Sequence, residues 1–375
     1  VLDSVIKKTI NALDIPWAKP FLGEKEKAYL TDALASAWIS GGPYVERFEH
    51  DFSSRMKSSV GVAASSGTAA LQLAVTASGL GPGDEVIVPG FSFAAPVNVV
   101  LNTGATPVYA DVDPWTWCID PVFIEKKVTS KTKAIIVVHI YGNVCDMDAI
   151  MTIARKHQLT VIEDAAEAAF SKLNGRFAGT WGDAGVFSFQ ATKTITTGEG
   201  GFVLSLKQEW LDHMRLMRDH GMSKDKRYWH DVRGFNFRLT NLQAAVGCAQ
   251  LDNIQAIIVK KQRVYEEYCR QLHGIPGVTM QEFKAGVAPV VWAVALRLDP
   301  GICRWGRDDV MNRMGEEGIE TRPGFYPFSA MPLYRTPALS VASRIAGEIL
   351  ILPSFTGLTS DEISRVCDSL KKAIQ

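Results

Sequence analysis

Three short segments of this chain carry side chains that could do chemistry together. The first, Ser65-Ser66-Gly67-Thr68-Ala69-Ala70-Leu71, stands between a strand-like run and a helical stretch. Small residues at that point let backbone amides approach an anion at the positive end of a helix, although an ordinary cap by Ser66 or Thr68 would use the same residues. The second, Val161-Ile162-Glu163-Asp164-Ala165-Ala166-Glu167, runs apolar side chains directly into Asp164. A carboxylate ending a central strand is partly desolvated and asks for a cation, unless it serves as the cap of the next helix. The third, Ser188-Phe189-Gln190-Ala191-Thr192-Lys193, continues through Thr194-Ile195-Thr196-Thr197 to Gly198-Glu199-Gly200-Gly201. An amine held away from water sheds its proton more readily and becomes available for Schiff-base chemistry; a surface lysine beside a turn is the plainer alternative.

Together these parts fit the demands of pyridoxal 5′-phosphate. The small-residue cradle and Ser188 would take the phosphate, Asp164 would keep the pyridinium nitrogen protonated, and Lys193 would form the Schiff base. An aromatic face is also needed against the ring, and Phe91 or Phe93 could supply it; core packing is the other use for either.

Such residues need a scaffold that brings distant segments to one edge. Short apolar runs at Val60–Ala64, Glu85–Pro89, Pro107–Ala110, Ala134–His139, Thr160–Glu163, Ala184–Ser188 and Gly201–Ser205 alternate with helical stretches. Runs without polar alternation predict strands covered on both faces, hence an α/β protein with a mostly parallel sheet between helices. Ligands of such sheets bind at the carboxyl ends of the strands, where the three segments lie. Beyond Lys207 the pattern changes to long helices and then a short α/β segment. We therefore expect a large domain over 31–252, a smaller α/β domain over 253–375, and a segment 1–30 packing on the smaller one.

Composition narrows the function classes. The chain has 375 residues, with 40 Lys plus Arg against 40 Asp plus Glu, so a nucleic-acid or anionic-membrane partner is not expected. Hydrophobic residues at 47% and charged residues at 21% are the balance of a globular protein. The apolar stretch Val86–Leu101 is interrupted by Pro89, Gly90, Pro96 and Asn98, so no membrane span is expected. Asp3, Lys7, Lys8 and Asp14 break any export signal, and the start at Val1 leads us to expect residues trimmed upstream. Six scattered cysteines read as reduced thiols of a cytoplasmic protein, and no Cys or His spacing suggests a metal site.

The segments SSGTAAL, GDEVIVPGFSF, GATPVYADVD, VIEDAAEA, SFQATKTITTGEGG and GFNFRLTN resemble, in order, the DegT-type nucleotide-sugar aminotransferases. The resemblance runs from about Ile15 to the C-terminus. It implies fold type I of the pyridoxal-phosphate-dependent transferases, the aspartate-aminotransferase architecture. It assigns Lys193 as the Schiff-base lysine, Asp164 as the pyridinium partner, Phe93 as the stacking aromatic, and Gly67, Thr68 and Ser188 as phosphate ligands. Glu167 would contact the cofactor's phenolic oxygen or the sugar, as a protonated group or through substrate hydroxyls. Asn236 would reach the partner subunit's cofactor phosphate, which implies a homodimer with composite sites.

The implied reaction moves an amino group from L-glutamate to a 4-keto-6-deoxy sugar carried on a nucleoside diphosphate. TKTITTGEGG, RYWHDV, IETRPGFYP, MPLY and LPSF point to the members acting on GDP-linked sugars, with dTDP- or UDP-linked sugars as alternatives. Arg322, Tyr326, His230 and Trp229 are candidates for substrate contact, with an interface ion pair and packing as their other uses. Gln190-Ala191-Thr192 and Phe328-Ser329 depart from the pattern of that subgroup, in the region of sugar contacts. A related 3-dehydratase would carry histidine in place of Lys193, and a silent binding homologue would have no need of Lys193, Asp164 and Ser188 together.

Overall fold

The computed structural model describes residues 14–58, 60–334 and 336–375. Its largest sheet contains β1 (Gly61–Ala64), β2 (Glu85–Pro89), β3 (Thr106–Ala110), β4 (Thr132–Val138) and β5 (Thr160–Asp164). After a small hairpin, β6 (Lys172–Leu173) and β7 (Arg176–Phe177), the sheet is completed by β8 (Ala184–Ser188) and β9 (Gly201–Ser205). The spatial order is β1-β9-β8-β5-β4-β2-β3. The β2–β3, β2–β4, β4–β5 and β5–β8 pairs are parallel, and only β9 runs against its neighbours β1 and β8. The expected α/β architecture is present, and the carboxyl ends of β1, β2, β4, β5 and β8 share one edge.

The apolar runs explain why this sheet is buried on both sides. Ile135, Val137, Val161 and Phe187 join one core, while Ala134, Ile136, Ile162 and Val186 join another on the opposite face. Alternate side chains of a strand point to opposite faces, so a strand without polar alternation needs a layer on each. Helix Gly67–Ala77 supplies part of one layer, with Ala69–Val75 all buried.

A second, antiparallel sheet follows, of order β10-β12-β14-β13. Its strands are β10 (Val278–Met280), β12 (Val294–Leu298), β13 (Arg322–Pro323) and β14 (Ile349–Leu352), while β11 (Val287–Ala288) pairs with β6. Leu296, Leu350 and Leu352 pack with Val264, Tyr268, Val366 and Leu370 of the helices Ile254–Leu272 and Ser360–Ala373. Ala295, Ile349 and Ile351 instead join the first large core, so the two sheets are sealed by shared packing.

The expected N-terminal segment lies partly outside the described residues, at 1–13. From residue 14 onwards, Ile15 bridges Ile319, and Trp17 O accepts from the Ser354 amide at 3.0 Å. Helix Glu24–Ala35 then crosses to helix Asn241–Asp252, where Tyr29 donates to Asp252 Oδ2 at 2.7 Å and Gln250 donates to Glu26 Oε1 at 2.7 Å.

Candidate active site

Five strand ends feed one cleft of about 450 Å³. Its lining includes Ser66, Gly67 and Thr68 after β1, Phe93 after β2, Asp164 and Glu167 around the end of β5, and Ser188 and Lys193 at and after β8. The three segments singled out in the sequence therefore meet in space.

The cradle is built by close backbone packing. Ser66 caps helix Gly67–Ala77 by accepting from the Ala69 amide at 3.1 Å, so the cap expected as an alternative is present as well. That leaves the Gly67 and Thr68 amides at the helix start without intrahelical partners. A Cβ on Gly67 would lie 2.7 Å from Ser188 Cβ, so only glycine lets the helix start sit against that serine. Amides at a helix N-terminus beside a serine hydroxyl form a phosphate-sized receptor.

Asp164 is buried at the rim of β5. Its Oδ1 accepts the Ala166 amide at 3.0 Å, while among the described residues its other oxygen has no protein partner. Burial raises its pKa, opposed by the Ala166 amide and the nearby charge of Lys193. A buried carboxylate short of a partner fits a protonated ring nitrogen. Behind it, His139 Nδ1 accepts the Cys145 amide at 3.1 Å, so its Nε2–H donates to Glu163 Oε2 at 2.9 Å. Glu163 also accepts the amides of Gly179 at 2.8 Å and of Trp181 and Gly182 at 2.6 Å each. The His139 amide in turn donates to Asp164 O at 3.0 Å, which fixes the strand end.

Lys193 reaches across the cleft floor. Its Nζ lies 3.4 Å from Glu167 Oε1 and 3.7 Å from the centroid of the Trp292 ring. Glu167 Oε2 accepts the Tyr141 amide at 3.0 Å, and burial raises the Glu167 pKa against the pull of Lys193 and that amide. That amide is aimed by Tyr141 itself, which holds φ 58° and ψ 14° in the left-handed region. A buried tyrosine keeps this costly conformation because its ring is held near parallel to both Trp292, at 6.2 Å and 25°, and Phe325, at 5.5 Å and 27°.

The two phenylalanines separate cleanly. Phe93 lines the cleft and is 58% exposed, whereas Phe91 is buried against Tyr141 and Phe325. The other candidates stand outside the cleft lining in a single chain. Trp229 is exposed with Lys226 over its ring, and His230 Nδ1 lies 2.9 Å from His220 O. Asn236, also exposed, accepts from Arg238 Nε at 3.3 Å. Arg322 pairs with Glu320 and stands 5.7 Å from the ring of Trp17, which does line the cleft; Tyr326 is exposed near Arg307. Residues that the sequence reading missed include Trp17, Val138, Ala166, Gln190, Trp292 and Phe325. Ala166, two residues after Asp164, was within reach of the motif, and Gln190 was noted only as a departure. Trp17 and Trp292 carried no local signal, whereas Phe325 stands beside Tyr326 in IETRPGFYP.

Comparison with known proteins agrees with this geometry. Residues 20–371 match the DegT/DnrJ/EryC1/StrS aminotransferase family. The chain belongs to that family. It is 40% identical to the GDP-perosamine synthase of Caulobacter vibrioides over 95% of this chain and 97% of that one. With the GDP-perosamine synthase of Escherichia coli O157:H7 the identity is 38%, over 96% and 98% respectively. The sugar aminotransferase Spr1654 of Streptococcus pneumoniae, solved in a pyridoxal phosphate form, superposes with a TM-score of 0.90 at 25% identity, covering 96% of this chain and 98% of that one. This DegT-family chain is thus a pyridoxal-phosphate-dependent aminotransferase of fold type I. The Gly67–Ser188 contact and the underpartnered Asp164 fit that cofactor at its phosphate and ring-nitrogen ends. Among the described residues no cluster suited to a metal ion occurs, and no helix is long and apolar enough to cross a membrane.

Proposed function

We propose that this chain transfers the amino group of L-glutamate to C4 of GDP-4-keto-6-deoxymannose, giving GDP-perosamine and 2-oxoglutarate. The observation that carries the sugar assignment is the 38–40% identity to GDP-perosamine synthases over nearly the whole length of both chains. Pyridoxal phosphate supplies the carbonyl that accepts the amine and an electron-poor ring that stabilises the carbanion. Gly67, Thr68 and Ser188 hold its phosphate, Asp164 its ring nitrogen, and Phe93 one ring face. Lys193 would hold its aldehyde and serve as the base and acid that moves the proton of the donor's α-carbon. Glu167, within 3.4 Å of that amine, is placed to orient it and to bond a substrate hydroxyl. Arg322 and Tyr326 bind the nucleotide sugar.

The same reading makes the protein a homodimer, in which Asn236 reaches the partner subunit's phosphate site while Trp229 and His230 border the partner's substrate. Support comes from the exposure of these three side chains and of Trp38, Ile39 and Tyr228. We place the cofactor unit at 31–252 and the smaller unit at 253–375, and we infer a cytoplasmic location, consistent with six unpaired cysteines. Gln190 lines the cleft and its Oε1 accepts from Thr192 Oγ1 at 2.7 Å, so the segment that departs from the GDP-sugar subgroup borders the site. The test is incubation with glutamate and GDP-, dTDP- and UDP-linked 4-keto-6-deoxyhexoses, with amine formation read by mass. Fastest turnover of the GDP-mannose-derived ketone is expected; equal or faster turnover of a dTDP sugar overturns the assignment.

A further inference from the structure

One charged residue that the proposed chemistry does not use lies directly beneath the cleft. Helix Ile254–Leu272 buries Ile254, Ile257, Val264, Tyr268 and Leu272, and Lys261 falls on the same stripe. A lysine on the apolar stripe of an amphipathic helix is costly unless its ammonium finds acceptors. Lys261 finds three backbone carbonyls, Trp292 O at 3.1 Å and Val291 O and Ser354 O at 3.5 Å each. Trp292 is also fixed elsewhere: its amide donates to Tyr141 O at 3.1 Å, and its Nε1 donates to Thr192 O at 2.8 Å, next to Lys193. The Lys193 ammonium lies over that same indole, and Lys193 and Lys261 both line a small cavity of about 20 Å³ under the cleft floor.

We propose that Lys261 is a positioning residue for Lys193, acting through Trp292. Its three-carbonyl clamp fixes the backbone that carries the indole, and the indole sets the direction from which the Lys193 amine enters the cleft. Lysine suits this role because its three donors converge on carbonyls from two separate loops, 291–292 and 354. Burial, with a smaller contribution from the charge of Lys193, lowers the Lys261 pKa to about 8, as expected of an ammonium held by neutral carbonyls alone. The inference rests on Lys193 being the amine that holds the cofactor aldehyde.

The test compares two forms of the cofactor. Pyridoxal phosphate is held by Lys193 as well as by Asp164, Phe93 and the phosphate cradle; pyridoxamine phosphate lacks the aldehyde and uses only the last three. Dissociation constants for both forms are measured on wild type, Lys261→Met and Trp292→Phe. Each variant is expected to weaken pyridoxal phosphate by about tenfold while leaving pyridoxamine phosphate within about twofold, because only the first needs the aimed amine. If Lys261→Met does not fold, Trp292→Phe, which keeps the clamp and removes the indole link, carries the same expectation. Equal weakening of both forms would assign a general structural role and overturn the proposal, as would no change in either. A wild type that bound neither form would instead overturn the cofactor site, and one whose bound pyridoxal phosphate gave no borohydride-sensitive absorption would overturn the assignment of Lys193.

Discussion

Replacing Lys261 by methionine should change how stability depends on pH as well as its size. The folded pKa of about 8 lies below the ordinary 10.5, so the unfolded chain binds more protons over the interval between them. Stability therefore rises with pH across that interval: the cost of burying the charge is fully present below pH 8 and gone above the unfolded value. A difference of about 2.5 units corresponds to about 3 kcal/mol in total, of which about 1 kcal/mol is recovered between pH 7 and pH 9. Methionine keeps most of the aliphatic stem and does not titrate. The stability gap between wild type and Lys261→Met should then move in favour of wild type by about 1 kcal/mol from pH 7 to pH 9. Urea unfolding at fixed protein concentration, with the difference between the two proteins taken at each pH, cancels the titration of all other groups to first order. Lys193 is the charged neighbour to control for, so the same series is run in a Lys193→Ala background. A gap that stays constant or moves the other way would refute a buried, charged Lys261.

Other sites give equally definite outcomes. Asp164→Asn should cut transamination by about 100-fold or more, because an amide cannot keep the ring nitrogen protonated; steady-state kinetics at saturating cofactor check it. Gly67→Ala places a methyl 2.7 Å from Ser188 Cβ, and should destabilise the apoprotein by roughly 1–3 kcal/mol while weakening cofactor and inorganic phosphate together. Glu163→Gln should cost about 3 kcal/mol in unfolding experiments, since each carboxylate oxygen now accepts two donors and the amide nitrogen would face two of the four. Lys193→Ala should abolish the visible absorption of the bound cofactor that borohydride removes in wild type, while pyridoxamine phosphate still binds, as equilibrium dialysis would show.

Much of this arrangement was legible because its pieces are local. A cap with small residues, an aspartate ending an apolar run and a lysine before a glycine turn each occupy a few consecutive positions, and strands apolar on both faces announce a two-sided sheet. Their meeting at one edge then follows from parallel connectivity. The reversed direction of β9 was not legible, since an apolar run has no polarity along the chain. The wall of Trp17, Trp292 and Phe325 was also hidden: the two tryptophans come from segments remote from the motifs, where inside an apolar run such as Pro289–Leu298 a tryptophan reads only as core, and Phe325 was passed over beside Tyr326 within IETRPGFYP. Lys261 shows the limit most clearly. Read by composition, Lys260-Lys261-Gln262-Arg263 is a polar face; read by helical spacing, Lys261 alone falls in register with Ile257, Val264 and Tyr268. What decides between the two is the convergence of three carbonyls from other elements. The same reasoning bears on Asn236, Trp229 and His230, exposed in one chain: in the proposed homodimer they would acquire a role from the cleft that a second chain brings to them.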